Sequence, residues 1–325
     1  MSHPLATVEI VPAIAPVVLE AKDPDREGGL SGATILAAPL RSTLMPLRNG
    51  GGDPTTVLSP GEFWRASQTP DGPGTVRLTW GGGRCTVRSW GPGGDWMVQR
   101  VPDLIGLNDP GYTFVDAHPA IMRAQRNHPD LRVGASGNLY HELLPTILAQ
   151  RITAGQAVAQ WRLLCLKLGQ PAPGPHGQLR LPPDPERLAG MPSWWFHPLG
   201  IERGRADTLR TVARHAGRLW SWSQLPVGEC MHKLALLPGV GEWTIGLVLA
   251  SALGEPDAIA VGDYHLKNIV AHALTGRARG TDDQLVELLQ PYRGHRGRVV
   301  RLLMLDGHRA PKFGPRQRIV PIHHR

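Results

Sequence analysis

A short glycine-rich turn is the first segment of this sequence whose residue types suggest chemistry. It is Leu237-Pro238-Gly239-Val240-Gly241, and Glu242 begins an apolar segment directly after it. Glycine permits a sharp turn and a close approach of the backbone to another surface, so we expect positive φ at both Gly239 and Gly241. The free N–H groups of the turn and of the following helix would then form a site for a phosphate. Such contacts position a nucleic acid without reading its bases.

A single carboxylate, Asp263, is the second such feature, in the segment Val261-Gly262-Asp263-Tyr264-His265. Apolar residues with helical spacing follow it and predict a helix over residues 264–274: Leu266, Ile269, Val270, Ala273 and Leu274. Asp263 would be the N-cap of this helix, a role that by itself explains an aspartate here. A carboxylate at this place could also stabilise the positive charge of a developing sugar cation.

Both groups need a helical scaffold, and the sequence becomes helical after about Asn108. Apolar periodicity predicts these helices: residues 142–151, 156–168, 205–219, 242–253 and 299–305. Gly254 is placed to end the fourth of them, and Thr281-Asp282-Asp283-Gln284 is a capping box that predicts a further helix start. Proline-rich residues 171–185 predict a connection. The arginines of the 205–219 helix are interpreted as a solvated face: Arg205, Arg210, Arg214 and Arg218.

The part of the chain before these helices is rich in strand signals. Residues 75–80 and 84–90 read as two strands joined by Gly81-Gly82-Gly83, and residues 69–74 form a turn cluster. We therefore predict an α+β chain in four segments. They are a flexible tail over 1–33, a β-rich domain over 34–112, a helical region over 113–310 and a basic tail over 311–325.

The composition limits the class of protein. A length of 325 residues with 41% hydrophobic residues predicts two or three packed domains, and a net charge of +8 favours nucleic acid as the partner. Cys85, Cys165 and Cys230 lie far apart, which argues against disulfides and against a four-cysteine zinc or iron–sulfur site. The apolar residues 14–19 are too few, and lack the basic flank, for a signal peptide or membrane span. We expect a cytoplasmic, nucleoid-associated monomer.

Two of these motifs together resemble the helix-hairpin-helix (HhH-GPD) DNA glycosylase superfamily. The main matches are residues 237–244 and 262–267, and over about residues 119–307 the chain is similar to the DNA-3-methyladenine glycosylase II group. Residues 147–153, 199–201 and 205–206 give weaker support. The resemblance implies a mainly helical core of two subdomains, a small N-terminal antiparallel sheet domain, and duplex DNA containing damaged bases as the partner. It also implies that Asp263 is the catalytic residue of base excision.

The resemblance assigns further residues by position. It implies a substrate pocket formed by Trp243, Tyr264, Leu247 and Met304. It implies DNA contacts from Gly239, Val240, Gly241, Thr244, Gln150, Arg151 and His265, with Arg151 filling the gap that a flipped base leaves. No cofactor is required. A structural Na⁺ or K⁺ could bind the main-chain carbonyls of Ala235, Leu237 and Val240.

Position 243 distinguishes two mechanisms on this scaffold. Family members that also cut the strand have a lysine two residues after the second hairpin glycine, whereas this chain has Trp243, which cannot form a Schiff base. We therefore predict a monofunctional glycosylase for alkylated bases. Leu247 and Met304 replace pocket aromatics of well-known members, so the pocket should be less aromatic. A glycosylase for oxidised or deaminated bases, and a non-catalytic DNA-binding module, remain alternatives.

Overall fold

The computed structural model describes residues 33–35, 40–81 and 84–311. Both predicted tails, residues 1–33 and 311–325, lie outside these ranges apart from Ala33 and Pro311. Among the described residues, every helix is too short or too polar to cross a bilayer.

A five-stranded antiparallel sheet lies at the N-terminal end of the described chain. Its strands are β1 (Ala33–Ile35), β2 (Thr56–Ser59), β3 (Glu62–Thr69), β4 (Gly72–Gly81) and β5 (Arg84–Trp90), in the order β1-β5-β4-β3-β2. The β3–β4 and β4–β5 hairpins end on the pairs Thr69–Gly72 and Gly81–Arg84. Both predicted strands and the turn within residues 69–74 are therefore confirmed, whereas Gly82 and Gly83 of the other predicted turn lie outside the described residues.

Short helices cover one face of this sheet. They are α1 (Leu40–Leu44), a 3-10 turn (Met45–Leu47), α2 (Gly94–Gln99) and α3 (Val101–Leu104). Their apolar residues pack with the inward side chains of β3 and β4, among them Phe63, Val76 and Leu78, into one core. Helices of four to six residues are too short to give an apolar period, which is why the sequence pattern did not show them.

The rest of the described chain is helical. Its α-helices are α4 (Pro119–Asn127), α5 (Leu139–Leu148), α6 (Ala154–Leu168), α7 (Pro185–Gly190), α8 (Arg203–Arg214), α9 (Ala216–Trp222), α10 (Val227–Ala235), α11 (Glu242–Val248), α12 (Leu266–Thr275), α13 (Asp282–Leu289) and α14 (Arg296–Leu305). Short 3-10 segments occur at Ser193–Leu199 and Gln290–Tyr292. Every predicted helix is present with shifted ends, and residues 171–184 form the predicted connection.

Two of the predicted helices are interrupted. The helix expected over 205–219 is broken at His215, between α8 and α9, and Arg205 is 6% exposed rather than solvated. Its guanidinium donates to the carbonyl oxygen of Leu148 and to Oε1 of Gln160, both at 2.7 Å. The helix expected over 242–253 is α-helical only to Val248 and continues as a π-helix (Leu249–Leu253), which ends at Gly254 with φ +66°.

The helices form two cores that meet at α11. The first core joins α5, α6 and α8 to α11, and the second joins α4 to α12, α13 and α14. Ile245 and Val248 of α11 belong to the first core, whereas Trp243 and Leu247 pack against the second. The turn before α11 and the start of α12 therefore lie where the two cores meet.

Buried polar contacts join the sheet to the first helical core. Arg65 of β3 forms an ion pair with Glu142 of α5, and both side chains are buried. His141 lies beside them, with Nδ1 2.9 Å from Oγ of Ser67, and burial lowers the pKa of its imidazole well below the ordinary value. Trp161 of α6 donates to Oδ1 of Asp53 at 2.9 Å. These contacts fix α5 relative to β3 and α6 relative to the loop before β2.

Candidate active site

The glycine turn packs directly against α8. Gly239 has φ +85°, and a Cβ built on it would lie 2.0 Å from Oγ1 of Thr208, so this position excludes any side chain. Gly241 differs from our expectation, since its φ of −96° and ψ of −179° are extended backbone. A Cβ built on Gly241 would meet no atom within 4 Å. Gly241 therefore leaves open space in front of the α11 N-terminus, while Gly239 makes the turn.

Gln150 ties this turn to the end of α5. Its Nε2 donates to the carbonyl oxygen of Gly239 and to Oγ1 of Thr244, both at 2.9 Å. Thr244 is 2% exposed and Val240 is 4% exposed, so their side chains face the protein. The DNA contacts that we predicted for Gln150, Thr244 and Val240 stay predictions. The Gln150 amide is used within the protein, and Thr244 and Val240 can present only backbone groups.

Arg151, the next residue, has a backbone conformation that is unusual for a side-chain-bearing residue. Its φ is +58°, in the left-handed region, and its side chain is exposed. The preceding Gln150 is fixed by the turn, and Thr153 begins α6 with a complete capping box to Gln156. Such conformations persist only where the surroundings impose them, and they concentrate at functional sites. The chain thus presents Arg151 outward at a fixed place beside the glycine turn.

Asp263 accepts three hydrogen bonds at the start of α12. Oδ1 receives the backbone N–H groups of His265 at 2.8 Å and Leu266 at 2.9 Å, and Oδ2 receives Nε1–H of Trp243 at 3.1 Å. The N-cap position of α12 is His265 rather than Asp263, because the helix begins at Leu266 rather than Tyr264, but the Asp263 carboxylate still accepts the N–H groups at this helix start. The half-buried carboxylate is fixed by backbone on one side and by an indole on the other.

The four predicted pocket residues differ in how exposed their side chains are, and the pocket that they would form stays a prediction. Trp243 and Leu247, one turn apart on α11, are half-buried and pack against the second core next to α12. Tyr264 is 63% exposed, with its ring 5.1 Å from that of the exposed His265. Met304 is 44% exposed on α14. The structure thus joins Trp243 directly to Asp263 and leaves Tyr264 and Met304 open to solvent.

Solved structures share this arrangement of sheet, helices and turn. A 3-methyladenine DNA glycosylase from Archaeoglobus fulgidus has a TM-score of 0.69 at 16% sequence identity, covering 84% of this chain and 98% of that one. MBOgg1 in complex with a low-affinity DNA ligand has a TM-score of 0.67 at 16% identity, covering 89% and 97%. Clostridium acetobutylicum 8-oxoguanine glycosylase/lyase has a TM-score of 0.62 at 12% identity, covering 84% and 95%. This chain has the helix-hairpin-helix DNA glycosylase fold.

The likeness is one of fold, at low sequence identity. No family model matches the sequence, and no curated protein matches it either. The predicted fold class is confirmed: an α+β chain with a mainly helical HhH-GPD core and a small antiparallel sheet. Gly239 to Gly241 lie in the turn between α10 and α11, which we call the hairpin.

A lysine and a second carboxylate complete the surroundings of Asp263 in this glycosylase fold. Lys267 of α12 donates from Nζ to Oδ2 of Asp282 at 2.7 Å, and Oδ1 of Asp282 accepts the N–H of Gly262 at 2.9 Å. The Lys267 hydrogen bond lowers the pKa of the Asp282 carboxyl. Sequence reasoning recognised Asp282 only as part of a capping box, because a contact to Gly262 depends on how α12 and α13 pack.

The remaining predicted site is the monovalent cation site at the main-chain carbonyls of Ala235, Leu237 and Val240. The carbonyl oxygen of Leu237 accepts the N–H of Val240 at 3.0 Å, and Ala235 is the last residue of α10, at the negative end of its dipole. Carbonyl oxygens are suitable ligands for a hard cation, and the monovalent cation site stays a prediction. Side chains of His, Cys, Asp and Glu do not form a metal-binding group anywhere in residues 40–81 and 84–311.

Proposed function

We propose that this chain is a DNA glycosylase that hydrolyses the N-glycosidic bond of a damaged base flipped out of duplex DNA. The observation that carries the proposal is the Asp263 carboxylate, fixed by three N–H donors at the start of α12 beside the hairpin. A carboxylate fixed in this way can stabilise an oxocarbenium-like sugar and orient a water for attack. A non-catalytic DNA-binding module would explain the two backbone N–H bonds at the start of α12 but not the third bond, from the indole of Trp243.

DNA binding would use mainly the protein backbone at the hairpin. The open space in front of Gly241 allows a phosphate to approach the N–H groups at the start of α11. Arg151 would enter the duplex from the same side and fill the gap left by the flipped nucleotide. The net charge of +8 favours this polyanionic partner.

We propose that base removal proceeds without strand cleavage. Cleavage on this scaffold requires an amine that attacks the sugar, and the position for that amine holds Trp243, whose Nε1–H is bonded to Asp263. Lys267 is the lysine nearest to Asp263 along the chain after it, and its Nζ is paired with Asp282. The described geometry therefore favours water as the nucleophile.

For the substrate we propose an alkylated base of the 3-methyladenine type. A cationic alkylpurine leaves as a neutral base and needs little help from a general acid, which suits a site with one carboxylate. The second candidate is an oxidised or deaminated base. It is supported by the TM-scores of 0.67 and 0.62 to MBOgg1 and to an 8-oxoguanine glycosylase/lyase, close to the 0.69 of the 3-methyladenine enzyme.

A panel of duplexes with single defined lesions tests these proposals. The expected result is an intact strand with an abasic site, which breaks only after alkali or heat, and no covalent adduct after borohydride reduction. Release of alkylated bases alone would support the first substrate, and release of 8-oxoguanine or uracil would support the second. Efficient borohydride trapping would contradict the monofunctional mechanism, and failure to release any base would contradict the glycosylase proposal.

A further inference from the structure

The backbone just before Asp263 is fixed by a side chain from another helix. Gly262 has φ +88°, and its N–H donates to Oδ1 of Asp282, the first residue of α13, at 2.9 Å. The N–H of Asp263 itself donates to the carbonyl oxygen of Ala260 at 3.1 Å. Asp282 is thus the side chain that connects the Asp263 segment to α13.

Asp282 is in turn held in a defined position. Its Oδ2 pairs with Nζ of Lys267 at 2.7 Å, so its two oxygens have separate partners. The turn that leads into α13 is packed closely on α12, because the N–H of Gly280 donates to Oδ1 of Asn268 at 3.0 Å. A Cβ on Gly280 would lie 2.8 Å from Cβ of Ala271.

The start of α13 does not need the Asp282 side chain. Thr281 is the N-cap, with its Oγ1 accepting the N–H of Gln284 at 3.2 Å and Oε1 of Gln284 accepting the N–H of Thr281 at 3.1 Å. A complete capping box already satisfies this helix end. The Asp282 carboxylate is therefore free to bond Gly262 and Lys267.

We propose that Asp282 is a positioning residue for the Asp263 carboxylate, acting through the N–H of Gly262. This inference rests on the proposed glycosylase function. Gly262 has no Cβ and a left-handed φ, and two hydrogen bonds hold the backbone on either side of it: its own N–H to Asp282, and the N–H of Asp263 to the carbonyl oxygen of Ala260. Loss of the Asp282 contact would free the Val261–Gly262 peptide, so that the segment would rely on the Ala260 bond, and would weaken the alignment of Asp263 with Trp243. A small misplacement of a catalytic group lowers the rate much more than it lowers DNA binding.

The test compares Asp282→Ala and Asp282→Asn with Asp283→Ala in the full chain. Asp283 is the exposed neighbour in the same helical turn and serves as the matched control for charge and helix start. We expect Asp282→Ala to lower the single-turnover excision rate about tenfold or more, with unchanged DNA affinity. Asp282→Asn keeps an oxygen acceptor for Gly262 and should recover most of the rate, and Asp283→Ala should match the wild type.

A second measurement is independent of enzymatic activity. Amide hydrogen exchange at Gly262 and the NMR signal of the Trp243 indole N–H report directly on the segment, whether or not a base is released. Asp282→Ala should speed Gly262 exchange and shift the indole signal, while Asp282→Asn and Asp283→Ala should not. Unchanged signals in a folded Asp282→Ala variant would overturn the positioning role. If Asp282→Ala shows these signal changes but the wild type releases no base, only the proposed function is contradicted.

Discussion

The indole nitrogen of Trp243 donates a hydrogen bond to Oδ2 of Asp263, with 3.1 Å between the two atoms. The same carboxylate receives the backbone N–H groups of His265 and Leu266 on its other oxygen. In the proposed function, Trp243 stands where strand cleavage would require an amine, and its N–H orients the carboxylate. This links two features of the proposed reaction, the use of water and the fixed position of Asp263.

Replacement of Trp243 by phenylalanine should slow base excision. The variant keeps an aromatic ring against the second core but loses the N–H donor to a charged oxygen. A hydrogen bond to a charged group contributes about 1.5–3 kcal/mol, so the rate should fall about 10- to 100-fold. Single-turnover excision and DNA affinity should be measured together. A normal rate would show that the indole does not orient Asp263.

The two hairpin glycines should respond differently to substitution. Gly241→Val places a side chain in the open space before α11, at a backbone conformation that valine adopts easily, so the fold should remain stable. DNA affinity should fall about equally for damaged and undamaged duplexes, because phosphate contacts carry no base information.

Gly239→Ala is the contrasting variant. It would combine positive φ with a collision against Thr208, and should lower the free energy of unfolding by about 1–3 kcal/mol. Thermal melting separates the two effects. A loss of lesion binding alone in Gly241→Val would count against a phosphate site at the hairpin.

Arg151→Gly should separate stability from activity. Glycine adopts the φ of +58° without strain, which offsets its greater freedom in the unfolded chain. The free energy of unfolding should therefore change by no more than about 1 kcal/mol. Excision should nevertheless fall, since no side chain would fill the vacated gap, and Arg151→Lys should retain more activity. Wild-type excision by the glycine variant would exclude Arg151 from that role.

Acid should destabilise the protein through the buried pair of Asp109 and Arg298. Burial favours a higher pKa for the Asp109 carboxyl, but the Arg298 hydrogen bonds at 2.6 and 3.0 Å and the N–H groups of Val133 and Gly111 outweigh it, so the pKa is lowered. Because this pKa is lower in the folded state, the ionised carboxyl stabilises the fold fully when the pH is above the pKa of the unfolded state. The pKa of the carboxyl in the unfolded state is about 3.9. The stabilisation is lost as the pH falls from there through the lower pKa of the folded state.

The variant Asp109→Asn tests whether this carboxyl makes the protein less stable in acid. The variant should be less stable at neutral pH by about 3–5 kcal/mol, because Arg298 stays buried without its partner. Its free energy of unfolding should also fall less than that of the wild type between pH 5 and pH 3, a window of about two units around the unfolded pKa. An equal fall in both proteins would mean that Asp109 contributes nothing to acid sensitivity.

The sequence predicted local features of the fold well and contacts between distant elements poorly. The two strands, the capping box at Thr281 and the end at Gly254 of the π-helix that follows α11 can be predicted from turn and helix-end chemistry within a few residues. The α11-to-π transition, the break at His215 and the burial of Arg205 depend on packing between elements that lie far apart along the chain.

The candidate site shows the same division. A carboxylate that accepts N–H groups at the start of α12 could be predicted from the neighbours of Asp263, although the N-cap position itself is His265. The bond from Trp243, the use of Gln150 to fix the hairpin and the contact of Asp282 with Gly262 could not, because each joins two separate helices or turns. The prediction of a positive φ at Gly241 was wrong for a related reason. The turn packs against Thr208 of the distant helix α8, and Gly239 alone has the positive φ there.

The most direct test of the account is base release by Asp263→Asn, measured under single-turnover conditions on a duplex with one alkylated base. Asparagine keeps the size of the side chain and an oxygen acceptor for the α12 N–H groups, so folding and DNA affinity should be retained and can be checked by melting and binding. The account predicts that the wild type releases the base and that the variant loses most of this activity. Release at the wild-type rate by the folded, DNA-bound variant would contradict it.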